Sequence, residues 1–138
     1  MLFEFIGNHL ILFTALLVIS GLLAYNLIQG DKGSIDPLGA TELINRREAT
    51  VIDVRAAADY AKGHIINSIN IPINGFKNQT AALKKYREQP LIVTCRSGNQ
   101  SQLACMLLRK AGFREVFNLR GGVLAWEAAN LPLTRKKR

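Results

Sequence analysis

The residues best placed for chemistry in this chain fall in one short run. Leu91-Ile92-Val93-Thr94 is an apolar, β-branched stretch that leads directly into Cys95-Arg96-Ser97-Gly98-Asn99-Gln100-Ser101. A pattern with a strong apolar face at helical spacing follows at once, over 101–111. The spacing predicts a strand, a tight loop and a helix, with cysteine at the strand's carboxyl end. There the N–H groups of the loop and first helical turn point toward the sulfur and, with the helix dipole, favour an anion. Arg96 adds a cation. Such surroundings lower a thiol pKa and populate the thiolate, the nucleophilic form. Gly98 permits the positive φ that a loop curling around one atom needs. Ser97, Asn99 and Ser101 add small hydrogen-bonding side chains. The competing reading, a small residue ending a buried strand, is outweighed by this context. Cys105, four residues after Ser101 on the apolar helix, reads as core packing. A Cys95–Cys105 redox pair is a weaker reading. No metal is expected, because Cys95, Cys105 and His64 lack metal-site spacing and His9 belongs to the apolar N-terminal end.

The elements that must position this loop alternate. Asp36-Pro37 opens a helix, with Asp as cap and Pro at its first position, running to about Arg47. Strands are expected at 50–54, 68–72, 91–94 and 116–119. Helices are expected at 56–62 (closed by Gly63), 79–88 (polar), 101–111 (ended by Gly112) and 123–129 (after the Gly121-Gly122 turn). Alternation with near-continuous apolar strands argues for an α/β fold with a parallel sheet covered on both faces. In such sheets sites lie beyond the carboxyl ends of the strands, where Cys95 is.

Ahead of this pattern, Leu10–Ile28 holds fifteen apolar residues in nineteen and no charge. As a helix it spans about 28 Å, close to the ~30 Å hydrocarbon core of a bilayer. A cleaved signal peptide is disfavoured: residues 1–9 contain Glu4 and no Lys or Arg, and Leu27-Ile28-Gln29 is a poor cleavage site. A core helix is disfavoured because every face is apolar. Lys32, Arg46 and Arg47 follow the span and no cation precedes it, so the positive-inside rule places the later residues in the cytoplasm. The expected organisation is a short extracytoplasmic N-terminus (1–9), a transmembrane helix (10–28), a linker (29–34), a cytoplasmic domain (35–133) and a basic tail (134–138), in the inner membrane as a single-pass protein.

The composition agrees with this division. The chain has 138 residues, is 49% hydrophobic and carries a net charge of +8. Two cysteines are too few for a disulfide framework, and the balance excludes disordered acidic and collagen-like chains. All eighteen Lys and Arg lie after the apolar span. Arg135, Lys136, Lys137 and Arg138 close the chain. Beside a membrane anchor their expected contact is with anionic lipid headgroups; a solvated, frayed end is the competing reading. Four charges without interleaved aromatics give no reason to expect nucleic-acid binding.

Three segments in this order resemble a rhodanese-like (sulfurtransferase) domain. The first is Val51-Ile52-Asp53-Val54-Arg55, with Asp59-Tyr60, Gly63-His64-Ile65 and Ile69-Asn70-Ile71-Pro72. The second is Cys95-Arg96-Ser97-Gly98-Asn99. The third is Gly121-Gly122-Val123-Leu124-Ala125-Trp126, with Leu131-Pro132 behind it. The resemblance covers residues 34–133. It implies a five-stranded parallel sheet flanked by helices, and Cys95 carrying a persulfide between a small anionic donor such as thiosulfate and a thiol or protein acceptor. It implies no metal or organic cofactor, with Arg96, Ser97, Gly98, Asn99 and Gln100 forming the substrate and persulfide loop. It also implies structural support from Asp53, Arg55, Asp59 and His64, with Arg55 expected to pair with Asp59, Asp53 to orient His64, and Trp126 to be core. Gln100 departs from the pattern: many active members have arginine there to bind anionic donors. Related phosphatases place arginine six residues after the cysteine, where this chain has Ser101, which disfavours phosphate-ester hydrolysis. Two functions follow: a membrane-tethered sulfurtransferase, or a noncatalytic interaction module on the same fold.

Overall fold

The structure, a computed structural model, describes residues 1–29 and 33–136. The chain divides into two units, residues 1–32 and 33–138.

The first unit contains α1 (Leu2–Asn8) and α2 (Leu10–Gln29). The N-terminal helix α1 is an addition to the sequence reading, which gave residues 1–9 no structure. Within α2, Leu10–Ile28 is long and apolar enough to cross a membrane, with mean hydropathy 2.2. Its large side chains are exposed all round, Leu12, Leu17, Leu22 and Leu27 among them, so α2 lacks the single buried stripe of a core helix.

In the second unit, β1 (Ser34–Ile35), β2 (Thr50–Asp53), β3 (Ile69–Asn70), β4 (Leu91–Thr94) and β5 (Val116–Leu119) form one sheet in the order β1-β5-β4-β2-β3. Every pairing is parallel. The helices are α3 (Pro37–Arg47), α4 (Ala57–Lys62), α5 (Phe76–Gln79), α6 (Asn99–Lys110) and α7 (Gly122–Ala128). Successive strand residues go to opposite faces. Ile52, Leu91 and Val93 pack with Phe76, Leu83, Ala104 and Leu108 on one side. Val51 and Ile92 pack with Ala40, Ile65 and Trp126 on the other. Two helical layers therefore cover the sheet, as the near-continuous apolar strands required.

Local chemistry sets the boundaries. The Asp36 carboxylate accepts from Gly39 N–H at 2.9 Å and caps α3, with Pro37 in its first turn. The helix expected over 79–88 is instead α5 followed by a 3-10 segment, Thr80–Tyr86, that buries Leu83. One apolar anchor per turn leaves the rest of this segment in water, and the short tight helix suffices. Gly33 and Ser34, read as linker, belong to the sheet: Ser34 pairs with Asn118, and Gly33 C=O accepts Asn118 N–H at 2.7 Å. The other linker positions from Gly30 to Lys32, and Lys137 and Arg138 of the tail, lie outside the described residues.

Candidate active site

Cys95 immediately follows β4, at the carboxyl edge of the sheet, and is 2% exposed. Gly98, with φ of +99°, turns the loop back so that its N–H donates to Cys95 Sγ at 3.0 Å. The Ser101 hydroxyl lies 3.3 Å from the same sulfur. A second set of bonds fixes these donors. Ser101 Oγ also lies within hydrogen-bond distance of Asn118 Oδ1, so its single proton goes either to Asn118 or to the sulfur, and Asn118 Nδ2 donates to Gly98 C=O at 3.1 Å. Asn118 is the residue that the sequence reading missed. Its signal is a polar side chain in the otherwise apolar run Val116-Phe117-Asn118-Leu119, buried beside β4.

The third motif acts on the loop from the opposite side. Val123 N–H donates to Cys95 C=O at 2.9 Å, and Leu124 N–H to Arg96 C=O at 3.2 Å. The first turn of α7 thus takes up the loop's carbonyls. Gly122 makes this approach possible: its φ is +60°, and a Cβ there would stand 2.4 Å from Cys95 O. Trp126 is buried and donates through Nε1 to Pro132 C=O at 3.0 Å.

Burial pushes the Cys95 thiol up. The Ser101 hydroxyl and the backbone N–H groups of Ser101, Gly98 and Ser97 outweigh it, so the net displacement is below the ordinary cysteine value. Cys105 has no such donors, and burial pushes its thiol up to about 11. The two thiols are therefore displaced in opposite directions, Cys95 toward the thiolate and Cys105 toward the protonated form. Ser101→Ala is expected to move the midpoint of Cys95 alkylation to higher pH and to slow alkylation at neutral pH roughly fivefold, the worth of one hydrogen bond. Iodoacetamide labelling against pH reads both.

A groove of ≈ 850 Å³ opens beside the sulfur. Arg96, Ser97, Asn99 and Gln100 line it and are exposed, with Lys62 and Asp59 contributed by α4 and Glu127 by α7. Among the described residues no group of His, Cys, Asp and Glu is placed to hold a metal ion.

The supporting residues pair differently from expectation. Arg55 binds Asp53, not Asp59: Arg55 Nη2 meets Asp53 Oδ2 at 2.7 Å and Nε meets both carboxylate oxygens at 3.0 Å. Asp53 is fully buried at the end of β2 and needs a cationic partner close in the chain. Arg55 also donates to Gly63 C=O at 2.8 Å, tying the α4 segment down. Asp59 is exposed at the groove. Asp53 does not orient His64. The His64 ring stacks on Tyr60 at 3.7 Å, with Nδ1 at 2.8 Å from Tyr60 O and Nε2 at 2.8 Å from Lys136 O. His64 also exchanges backbone bonds with Thr134 at 2.9 and 2.7 Å. Thr134, Arg135 and Lys136 therefore dock on the domain, and the frayed-end reading fails for them.

The fold and site define a class: an α/β domain holding a buried cysteine in a loop of N–H donors at the sheet's carboxyl edge. Residues 38–129 match the Rhodanese-like domain, and the chain belongs to that family. It is similar to YibN of Escherichia coli K12, named an uncharacterized protein, with 40% identity over 138 residues, 97% of this chain and 96% of YibN. It is similar to the thiosulfate sulfurtransferase GlpE of Coxiella burnetii, with 35% identity over 94 residues, 68% of this chain and 86% of GlpE. The crystal structure of a rhodanese-related protein from Thermoplasma volcanium superposes with a TM-score of 0.68 at 31% identity, covering 75% of this chain and 98% of that one.

Proposed function

We propose that the protein is a membrane-anchored sulfurtransferase, with its domain in the cytoplasm, that carries sulfane sulfur as a persulfide on Cys95. The observation that carries this reading is Gly98 N–H donating to Cys95 Sγ at 3.0 Å at the mouth of an open groove. The Cys95 thiolate attacks the outer sulfur of a donor such as thiosulfate. The donor's S–S bond breaks, its electron pair leaves with sulfite, and a new S–S bond forms on Cys95. The negative charge now rests on the terminal sulfur, within reach of the loop's N–H groups. A thiolate acceptor, on a small thiol or a protein, attacks that sulfur, and the pair of the broken bond returns to Cys95. No metal or organic cofactor enters these steps. The anchor is residues 10–28, and the excess of Lys and Arg after them sets the orientation. A contact of anionic lipid with the tail, from Arg135 to Arg138, would turn the Lys62 side of the domain to the membrane, since Arg135 Nε donates to Lys62 C=O at 3.2 Å; it is the alternative to the contact proposed below.

Gln100 lines the groove where arginine would strengthen anion binding. This favours a second reading, a noncatalytic adaptor at the membrane. One experiment separates the two. The chain is incubated with thiosulfate and its intact mass taken. The transferase gains one sulfur atom on Cys95 and yields thiocyanate with cyanide; the adaptor does neither. Gln100→Arg is expected to raise kcat/KM for thiosulfate by about tenfold, the effect of one added charge-assisted hydrogen bond.

A further inference from the structure

Three helical segments end at the sheet edge opposite Cys95, the edge from which the strands start. Each has two cations in its last turn: Arg46 and Arg47 in α3, Lys84 and Lys85 in the 3-10 segment, Arg109 and Lys110 in α6. Contacts hold the three ends together. Arg47 forms a bidentate pair with Glu115, in the loop after α6, at 2.6 Å. Arg87 donates to Ala111 C=O at 3.3 Å and lies over the Phe113 ring. Arg114 is exposed in the same loop. Eight cations thus share this edge with four carboxylates, Glu42, Glu48, Glu88 and Glu115. Complementing three helix dipoles accounts for a cation at each end, not for this excess.

The chain also enters the domain here. Gly33 lies against the Arg109 guanidinium, which donates to Val116 C=O at the start of β5. Only residues 30–32 separate Gly33 from the end of α2. The one aromatic interleaved with these cations among the described residues, Tyr86, is half-buried against the core with Lys85 Nζ 5.1 Å from its ring centroid, which leaves little open ring for a base to stack on.

We propose that this basic edge binds the anionic headgroups of phospholipids, so that the Cys95 groove opens on the side of the domain away from the lipid. The proposal rests on the reading of residues 10–28 as a membrane anchor. Its charge complementarity is that of a polybasic segment next to a membrane span.

The test uses the full chain reconstituted with vesicles of phosphatidylcholine, alone or mixed with phosphatidylglycerol. Lysine acetylation is followed by mass spectrometry, and flotation reports insertion. The expected result is flotation with both vesicles and acetylation of Lys84, Lys85 and Lys110 slowed about threefold or more on the anionic vesicles only. High salt should remove the protection, and Lys62, at the groove, should be labelled equally on both. Equal labelling of all four lysines on both vesicles, with flotation intact, overturns the basic edge and leaves the anchor standing. Protection by an RNA oligonucleotide and not by anionic vesicles overturns it as well. Failure to float on neutral vesicles, with protection on anionic ones, overturns the anchor and supports the edge. Failure to float with either overturns both.

Discussion

Cys95→Ser is expected to abolish sulfur transfer, with a fall of at least about 10³-fold in thiocyanate formation, because serine supplies no sulfur to hold the transferred atom and a poor nucleophile in its place. The fold should survive, since Cys95 is one small residue in a loop whose Cys95 and Arg96 carbonyls stay bound by Val123 and Leu124 N–H. Cys105→Ser is the contrasting variant. Cys105 is buried among Ala104, Leu108 and their neighbours, so its effect should fall on thermal stability and leave sulfur loading at Cys95 in place. Alkylation against pH gives an independent reading. Cys95 should react with a midpoint below the ordinary cysteine range, its donors favouring the anion; Cys105 should stay protected until about pH 11. Persulfide formed on Cys105 and not on Cys95 would invert the assignment.

Gly122→Ala carries the second large effect. Its backbone sits at φ of +60°, and the new methyl would stand 2.4 Å from Cys95 O and 2.6 Å from Arg96 O. Both contacts are backbone, so neither yields by a rotamer change. Either the loop leaves α7 or α7 leaves the loop, and both routes lose the bonds from Val123 and Leu124. The expected cost is about 3–4 kcal/mol of stability, with loss of transferase activity in whatever remains folded. Gly75→Ala is the control: φ there is +83°, but nothing lies within 4 Å of the added methyl. It should cost only about 1 kcal/mol. Thermal melting of both variants separates positive φ alone from positive φ with a clash. Equal losses would mean that the α7 approach does not constrain the loop.

The central strands were legible because each is a short, mostly apolar run between polar turns. Leu91–Thr94 and Val116–Leu119 form as read, and Thr50–Asp53 ends one residue short of the expected 50–54. Strand β1 was hidden: Ser34-Ile35 is two residues long, and only its distant partner Asn118 makes it a strand. Asn118 was hidden for a related reason, since its partners Ser101 and Gly98 come from another element. The Cys95 loop was readable because its chemistry is local, with strand, glycine and helix start in one stretch. The Arg55–Asp53 pair was misassigned because side-chain direction beyond a strand end depends on how the chain bends there. Asp53 points into the interior, and Arg55 turns back to meet it.

The sheet order has a consequence for how the chain folds during synthesis. Its first strand waits for its last: among the described residues β1 has no neighbour strand except β5. An α/β unit that closes this way has high contact order, and folding cannot proceed segment by segment from the N-terminus. Helix α2 can form as soon as it is made, since its backbone bonds are all local. The domain can complete only after β5 and α7 have left the ribosome. A nascent chain halted before Val116 would hold Cys95 without α7 to bind its carbonyls and without Asn118 to order Ser101. The surroundings of the Cys95 loop are thus among the last parts of the domain to be fixed.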